Sequence, residues 1–440
     1  MNYSVPHTKK DLERLCIDAG ATLPYSEDTS VLAEQINIGR KTAPNRLVYQ
    51  AMEGCDGTAE GAPDELTVRR YMRFAEGGAG IIWFEATAVT NDGRANPRQM
   101  YINDNTLDSF KRIVDSIKER CVSVNGYEPL VICQLTHSGR YSKPNGFPEP
   151  LIAYNNPVFE KDSPIDKSRI LSDERLDAIG EALVNGAMLA QKAGFDGGDI
   201  KCCHRYLLCE LLSAYTRENS RYGGSFENRT RLLRSSVEGA IRACGSDFIV
   251  TTRMNAYDGF VYPYGFGVNE GEGIKPDFTE AKMLCSELVK LGVPLINITM
   301  GNPYVNPHVN RPFAKGTYEH PEAPIIGVQR MLDGIREIAA QVKGAKIISS
   351  GLSYLGATSP NVAAAYISRG GFDFAGYGRE TLAYPSLAKD ICTNGGLDKN
   401  KICIACGKCS EIMRKPGGTP GCVIRDSEVY APLYKKFCMN

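Results

Sequence analysis

Short apolar segments alternate with longer amphipathic segments along most of this chain. Near-continuous hydrophobicity over a few residues is typical of parallel strands covered on both faces, whereas a 3.6-residue period indicates helices. The predicted strands cover residues 46–50, 80–86, 130–135, 195–200, 248–254, 295–299, 346–350 and 372–376. The predicted helices cover residues 66–76, 107–120, 172–192, 226–243, 279–291, 328–342 and 359–369. Repeated strand–helix units predict an α/β fold of the (β/α)8 TIM-barrel class, with a doubly wound open sheet as the alternative.

The chain is long enough for one barrel and a smaller appendix. A TIM barrel takes about 250 residues, and more with insertions, whereas this chain has 440. We expect residues 1–392 to form the barrel with an N-terminal extension, and residues 393–440, which are rich in Gly, Lys and Cys, to form a separate segment. The long loop at residues 138–171 follows the third strand, so it should lie at the C-terminal face, where barrel active sites are found.

Composition narrows the class of protein. The formal net charge is zero and the pI is near 6.9, which favours neither a nucleic acid nor a membrane surface as partner. No apolar stretch approaches the ~20 residues of a membrane span, and the N-terminus lacks the hydrophobic core of a signal peptide. Fifteen cysteines form an odd set with several in apparent core segments, which disfavours a disulfide framework and indicates the reducing cytoplasm. An anaerobe is expected only if some of these cysteines hold an oxygen-sensitive iron–sulfur cluster.

Four cysteines near the C-terminus have the spacing of a metal-cluster site. Cys403, Cys406 and Cys409 form a C-x2-C-x2-C run, and Cys422 returns after twelve residues. Three thiolates on one tight loop and a fourth from a short excursion suit a [4Fe-4S] cluster. A structural zinc site usually has two separated C-x2-C knuckles, often with histidine. Zinc and plain buried cysteines remain the alternatives to the cluster.

The end of the fourth predicted strand carries several titratable groups. Lys201, His204, Arg205 and Tyr206 follow one another closely there. A structural core would not gather four such groups, because each buried polar group needs a partner. The segment is therefore a candidate active site, and the alternative is a solvated loop between strand and helix.

Several motifs resemble the old yellow enzyme family of flavin oxidoreductases over roughly residues 35–392. The motifs are SAYTRENSRYGGSFENRTRLL at residues 213–233, NRLVYQAMEG at 45–54, QLTHSGR at 134–140 and GYGRETLAYP at 376–385. With the cysteine run, the chain resembles the iron–sulfur branch, which includes trimethylamine dehydrogenase, 2,4-dienoyl-CoA reductase, clostridial enoate reductases and bile-acid-inducible oxidoreductases. From the printed sequence we expect a member without their C-terminal FAD- and NAD-binding domains.

The resemblance implies an FMN at the C-terminal mouth of the barrel. Gln134 matches the glutamine at the flavin pyrimidine edge, and Arg253 matches the arginine that stabilises the reduced flavin. The phosphate site corresponds to Gly351, Gly378 and Arg379, where glycine admits backbone N–H groups and arginine neutralises charge. Met52 and Ala86 match residues that touch the isoalloxazine.

The resemblance also implies reduction of an activated C=C bond. Tyr206 matches the family's proton-donating tyrosine, a phenol that stays protonated at neutral pH. Lys201 and His204 occupy the positions of the pair that holds the substrate carbonyl, although the first is usually histidine. Arg205 stands where glycine is usual, so it either reaches the substrate or supports the loop. Glu53 lies close to the expected flavin and could pair with Lys201 or Arg205, or act as a general base.

The expected partners are an unsaturated small-molecule substrate and an external electron donor. No G-x-G-x-x-G run opens a helix after a strand, so NAD(P)H, a ferredoxin or flavodoxin, or a reductase subunit would supply electrons. A homo-oligomer is possible. The alternatives are an amine dehydrogenase or demethylase, for which Lys201 and Arg205 are unfavourable, an electron-transferring subunit of a complex, and a lyase or aldolase that uses Lys201 as a Schiff base.

Overall fold

Eight parallel strands form a barrel in the computed structural model, which describes residues 3–271, 273–316 and 318–439. Strands β1 Ile36–Ile38 and β2 Lys41–Ala43 form a separate hairpin. The eight barrel strands are β3 Leu47–Tyr49, β4 Ile81–Ala88, β5 Leu130–Thr136, β6 Gly197–Ile200, β7 Ile249–Asn255, β8 Leu295–Thr299, β9 Lys346–Ile348 and β10 Ala375–Tyr377. Strands β3 to β9 pair in chain order and β10 returns to β3. Between the ends of β9 and β10, where the barrel closes, Ser349 N donates to Phe374 O over 2.9 Å. The TIM-barrel prediction is confirmed, and the open sheet is not formed.

The helices follow the strands at the predicted places. They are α1 Lys9–Ala19, α2 Glu65–Glu76, α3 Leu107–Asn125, α4 Pro157–Glu160, α5 Asp173–Lys192, α6 Leu207–Leu212, α7 Phe226–Arg229, α8 Arg231–Cys244, α9 Thr279–Lys290, α10 Pro307–Asn310, α11 Pro324–Gln341, α12 Ser359–Ser368, α13 Arg379–Ala383, α14 Leu387–Asn394, α15 Lys408–Met413 and α16 Ser427–Cys438. Ser172 caps α5 by accepting a hydrogen bond from Arg175 N over 3.2 Å, as an N-cap serine does. The single helix predicted at 226–243 is divided into α7 and α8 at Thr230.

Apolar side chains fill the N-terminal half of the barrel. The β1–β2 hairpin closes that end, and its Ile36 and Ile38 join a buried cluster with side chains from the barrel strands. Trp83 lies in the same cluster and donates its indole N–H to Asp199 Oδ2 over 2.8 Å. Because this half is packed, a ligand can enter only from the C-terminal mouth.

A buried ionic network fixes the C-terminal segment to the barrel. Arg70 on α2 donates to both oxygens of Asp56, over 2.7 and 3.0 Å, and to Glu85 Oε1 on β4 over 2.6 Å. Thr419 of the C-terminal segment donates to Asp56. Burial raises the pKa of Glu85 to about 7, whereas Arg70 keeps the pKa of Asp56 below its ordinary value despite its burial. Arg70 therefore stabilises the ionised form of Asp56 more than that of Glu85, and Glu85 is the carboxyl group that binds a proton more readily.

A second ionic contact lies nearer the surface. Arg69 and Arg73, on the outer side of α2, both pair with Asp426 just before α16. The segment and α2 are thus held together by two separate ionic contacts. Among the described residues, no helix is both long and apolar enough to cross a bilayer.

Candidate active site at the barrel mouth

A cavity opens at the C-terminal mouth of the barrel. Ten of the residues singled out in the sequence lie on its wall. They are Met52, Glu53, Gln134, Lys201, His204, Arg253, Gly351, Gly378, Arg379 and Cys409. The C-terminal segment adds Met413, Arg414 and Pro420 to the same wall. Strand ends that are far apart in sequence therefore converge on one cavity, as in other TIM barrels.

The base of the cavity is organised by Asp199, a residue that sequence reasoning did not single out. Its Oδ2 accepts from Gln134 Nε2 over 2.6 Å, and its Oδ1 accepts from Arg253 N over 2.6 Å. This fixes the amide of Gln134 with its carbonyl oxygen free to accept. Arg253 donates one hydrogen bond from Nη1 to Ala51 O over 3.4 Å. Its buried Nε has no partner among the described residues. Unused donor and acceptor groups at this depth fit the polar edge of a flavin ring.

The opposite end of the cavity fits a phosphate. Gly351 has φ of +90°, and a Cβ on Gly376 would lie 2.1 Å from Ser349 O, so both positions require glycine. Arg379 donates to Pro312 O over 2.7 Å, while its buried Nη1 has no partner in the described structure. Arg311, also on the wall, was not singled out from the sequence; burial, followed by the charge of Arg379, lowers its pKa to about 9. Two guanidiniums side by side provide charge for an anion.

Charge on the cavity wall is unbalanced. Lys201, Arg253, Arg311, Arg379 and Arg414 lie on it, and Glu53 is the only carboxylate among its described residues. Burial lowers the pKa of Lys201, and the nearby Glu53 opposes this, with Nζ 3.9 Å from Glu53 Oε2. Burial holds the pKa of His204 well below its ordinary value, and the charges of Arg253 and Lys201 add to the effect. His204 is thus a neutral imidazole, and its buried Nε2 lacks a partner among the described residues.

Tyr206 lies just behind this wall. Its hydroxyl donates to Glu53 Oε2 and lies 3.0 Å from the hydroxyl of Tyr304. Lys201 Nζ stands 3.6 Å from the centre of the Tyr206 ring. Tyr304 was not identified from the sequence, where an aromatic residue in an Asn- and Pro-rich loop gives no distinctive signal. The structure brings Lys201, Glu53 and Tyr206 together, with Tyr304 as an unforeseen fourth member.

Arg205 points away from the cavity. It pairs with Asp258 Oδ2 over 2.9 Å and donates to Tyr154 Oη and Tyr264 O, each over 3.0 Å. His204 and Arg205 have φ of +63° and +64°, a left-handed conformation that costs an L-residue roughly 1–2 kcal/mol. The contacts of Arg205 stabilise this strained backbone, so that His204 and Tyr206 keep their positions near the mouth. Ala86 is buried within strand β4 and, like Arg205, does not line the cavity.

Substitution of Arg205 can separate strain from contacts. Arg205→Gly and Arg205→Ala lose the same ion pair, but only glycine adopts φ near +64° without strain. We expect the glycine variant to be more stable than the alanine variant by about 1 kcal/mol, measured by urea unfolding. Equal stabilities, or a more stable alanine variant, would contradict the strain argument.

The four predicted cluster cysteines line a second, smaller cavity. Ala405 and Gly407 have φ of +51° and +78°, which turns the loop around that cavity. Backbone N–H groups of Ala405 and Arg425 each approach a cysteine sulfur, of Cys403 and Cys422 respectively, within 3.3 Å. Such contacts are a known feature of iron–sulfur sites. In the described parts of the chain, no three His, Cys, Asp or Glu side chains are grouped for a single metal ion.

The two cavities share a wall. Arg379, Leu382 and Cys409 line both of them. A group bound by the cysteines would therefore lie next to the phosphate end of the larger cavity. This arrangement places the cysteine site within the same functional region as the barrel mouth.

Comparison with known proteins places this architecture in a family. The model of the NADH:flavin oxidoreductase / NADH oxidase family matches residues 32–397. The chain is 24% identical over 385 residues to a metal reductase of Desulforamulus reducens, covering 86% of this chain and 51% of the relative. It is 27% identical over 385 residues to a cinnamate reductase of Clostridium sporogenes, covering 86% and 54%. The chain thus spans about half the length of these curated relatives.

A solved structure with the same fold is a 2-naphthoyl-CoA reductase in complex with 2-naphthoyl-CoA. It matches with a TM-score of 0.69 at 21% identity, over 87% of this chain and 54% of that chain. The barrel fold and the cavity at its mouth are consistent with the family match, which covers most of the sequence. The chain therefore belongs to the NADH:flavin oxidoreductase / NADH oxidase family, whose members are flavin-dependent oxidoreductases.

Proposed function

We propose that this protein is an FMN-dependent ene-reductase acting on an alkene conjugated to a carbonyl or carboxylate group. The observation that carries the proposal is one cavity wall that holds the buried ammonium of Lys201 and nitrogen atoms of His204 and Arg253 without a partner among the described residues, beside the Tyr206–Glu53 pair. Reduction of a conjugated alkene places negative charge on the substrate oxygen, and preorganised donors in a water-poor site stabilise that charge. A proton source must lie nearby, since the α-carbon is protonated in the same reaction.

The residues present fit FMN. Gln134, Asp199 and Arg253 would hold the ring edge, and Gly351, Gly378, Arg379 and Arg311 would hold the phosphate. When bound and reduced, FMN supplies the hydride for the β-carbon of the substrate. Lys201 and the neutral His204 would orient the substrate oxygen and stabilise its developing charge. Tyr206 would provide the proton for the α-carbon, because burial and the adjacent Glu53 raise the pKa of this phenol well above its ordinary value and keep it protonated.

We further propose that Cys403, Cys406, Cys409 and Cys422 hold a [4Fe-4S] cluster through which electrons from an external donor reach the flavin. Their shared cavity, the sulfur contacts and the wall in common with the larger cavity support this assignment. The donor to the cluster would be a one-electron carrier such as ferredoxin or flavodoxin, or a reductase subunit, whereas NAD(P)H would reduce the flavin directly. An amine substrate is disfavoured, because five cations line the cavity against one described carboxylate and a cationic ligand would be repelled.

Anaerobic half-reactions test the proposed function. The purified holoprotein is reduced by NADH, NADPH or reduced ferredoxin, and its flavin absorbance is then followed after addition of cinnamate, acrylate, an enone or, for contrast, trimethylamine. We expect rapid re-oxidation by at least one unsaturated compound. If none of the unsaturated compounds re-oxidises the flavin and the amine reduces the oxidised protein, the protein is an amine dehydrogenase and not an ene-reductase.

Substitution of the phenol tests its role. Tyr206→Phe keeps the ring under Lys201 but removes the proton, so we expect re-oxidation by the alkene to slow by about 10²-fold or more. Reduction of the flavin by the donor should be unaffected. Stopped-flow measurement of both half-reactions checks this, and an unchanged re-oxidation rate would remove Tyr206 from proton transfer.

A further inference from the structure

Tyr304, rather than Tyr206, presents its side chain to the cavity. Tyr304 lies on the cavity wall and is partly exposed, whereas Tyr206 is 1% exposed and is not part of that wall. The two hydroxyls are 3.0 Å apart, and the Tyr304 hydroxyl lies 3.4 Å from Glu53 Oε2. A substrate in the cavity would therefore meet the Tyr304 phenol before that of Tyr206.

The hydrogen bonds of Tyr206 also indicate that Tyr304, and not Tyr206, is the phenol available to donate to a substrate. A phenol has one proton, and Tyr206 donates it to Glu53. While it does so, Tyr206 cannot donate to a substrate, although its oxygen can accept a proton or pass one on. Tyr304 has its own proton, which makes only a long 3.4 Å contact with Glu53 Oε2, and it is next in the chain of hydroxyls toward the cavity.

The position of Tyr304 is fixed by contacts on several sides. Its backbone N–H donates to Asn302 Oδ1 over 2.8 Å, and Asn302 Nδ2 in turn donates to Tyr141 Oη over 2.7 Å. The Tyr141 ring packs against Tyr304 with a centroid distance of 4.3 Å, and the Arg414 guanidinium lies 5.3 Å from the Tyr304 ring centre. A phenol held this firmly beside two proton-exchanging groups has the preorganisation that general-acid catalysis requires.

We propose that Tyr304 is the terminal proton donor, and that Glu53 and Tyr206 return the proton it gives up. This inference rests on the ene-reductase function proposed above and adds a catalytic residue to it. The Tyr304 O–H bond breaks as the C–H bond forms at the α-carbon of the substrate. In the same step the Tyr304 oxygen takes the proton of Tyr206, and the Tyr206 oxygen takes one from Glu53, whose carboxylate has first bound a proton from solvent.

Glu53 is the point where protons enter from solvent. Its side chain is 17% exposed, whereas that of its ion-pair partner Lys201 is 1% exposed. The overall step moves one solvent proton to the substrate and leaves every relay member as it began. Burial and Glu53 also raise the pKa of Tyr304 well above its ordinary value, so the phenol keeps its proton between turnovers.

A double-mutant cycle tests the relay on the flavin-loaded enzyme. Tyr304→Phe, Tyr206→Phe and the double variant are reduced anaerobically, and their re-oxidation by an unsaturated acid accepted by the unaltered protein is measured. We expect Tyr304→Phe to slow re-oxidation by about 10²-fold or more and the double variant to be no slower than Tyr304→Phe alone, because both residues act on one path. Flavin reduction and the Kd of the acid, read from the oxidised flavin spectrum, should change by less than about threefold.

The controls separate the possible failures. Tyr257→Phe removes a phenol that donates to Ile274 O and has no hydrogen bond to Glu53, Tyr206 or Tyr304, and we expect its re-oxidation rate to stay within about threefold. Re-oxidation of Tyr304→Phe at the unaltered rate would overturn the relay and leave direct donation by Tyr206 in place. An unaltered enzyme that no alkene re-oxidises would overturn both the relay and the proposed function.

A second measurement does not depend on the folding of any variant. The re-oxidation rate of the unaltered enzyme is followed in mixtures of H2O and D2O. A curved dependence on deuterium content indicates that more than one proton is in flight and supports the relay. A linear dependence indicates a single proton and contradicts it.

Discussion

Replacing Arg70 with methionine is expected to lower the free energy of unfolding by about 3–5 kcal/mol, the usual cost of removing one partner of a buried ion pair. Methionine has a similar length but leaves the carboxylates of Asp56 and Glu85 without the guanidinium that bonds both of them. Asp56 also accepts from Thr419, so docking of the C-terminal segment should weaken at the same time. Chemical unfolding monitored by circular dichroism measures the loss.

Glu85→Gln is the matched control for Arg70. Because burial raises the pKa of Glu85 to about 7, the folded protein binds this proton more tightly than the unfolded chain does. The resulting stabilisation is present below about pH 4.5, the ordinary range of a glutamic acid, and is lost as the pH rises through 7. We therefore expect Glu85→Gln to be nearly neutral at pH 5 and to stabilise the protein at pH 8. A variant as damaging as Arg70→Met at both pH values would contradict this division of roles.

Replacing Cys422 with serine is expected to remove most of the iron and acid-labile sulfide from protein purified without oxygen. Cys422 is the proposed ligand that comes from outside the tight loop, so its loss would open the proposed cluster to solvent on one side. The unaltered protein should contain about four iron atoms per chain. Metal analysis and the broad visible absorption of the cluster measure the difference.

Cys438→Ser is the control for Cys422. Cys438 ends α16 in the same segment and is likewise partly buried, but it does not line the cysteine cavity. We expect its iron content to match that of the unaltered protein. Zinc without sulfide in the unaltered protein would favour the structural-metal alternative, and equal iron loss in both variants would remove the specific role of Cys422.

The barrel could be predicted from sequence because its strands are local patterns. The predicted segment 295–299 is identical with β8, and segment 130–135 differs from β5 by one residue at its end. The division at Thr230 was missed because the apolar period continues across it, while a local 3.6-residue pattern says nothing about a change of direction. Strand ends were less certain where buried Gly and Asp replace apolar residues, as in β6.

The candidate site was predictable only where a motif identified it. Gln134, Arg253 and Arg379 lie on one cavity as the family motifs imply. The partners that hold them are distant in sequence and carry no motif: Asp199 lies 65 residues from Gln134, and Asp258 lies 53 residues from Arg205. Tyr304 and Arg311 were missed for the same reason, since only the folded chain brings their loop over the barrel mouth. Whether Arg205 reaches the cavity or supports the loop could not be decided without knowing its partners.

The wall shared by the two cavities limits how this protein can be divided or redesigned. Met413, Arg414 and Pro420 of the C-terminal segment complete the larger cavity, and Cys55 of the barrel donates its thiol hydrogen to Gly418 O over 3.1 Å in that segment. Removing the segment would therefore remove one side of the binding site along with the cysteines. The appendix is not an interchangeable module, and a graft onto another barrel would have to bring its complementary surface on α2 with it.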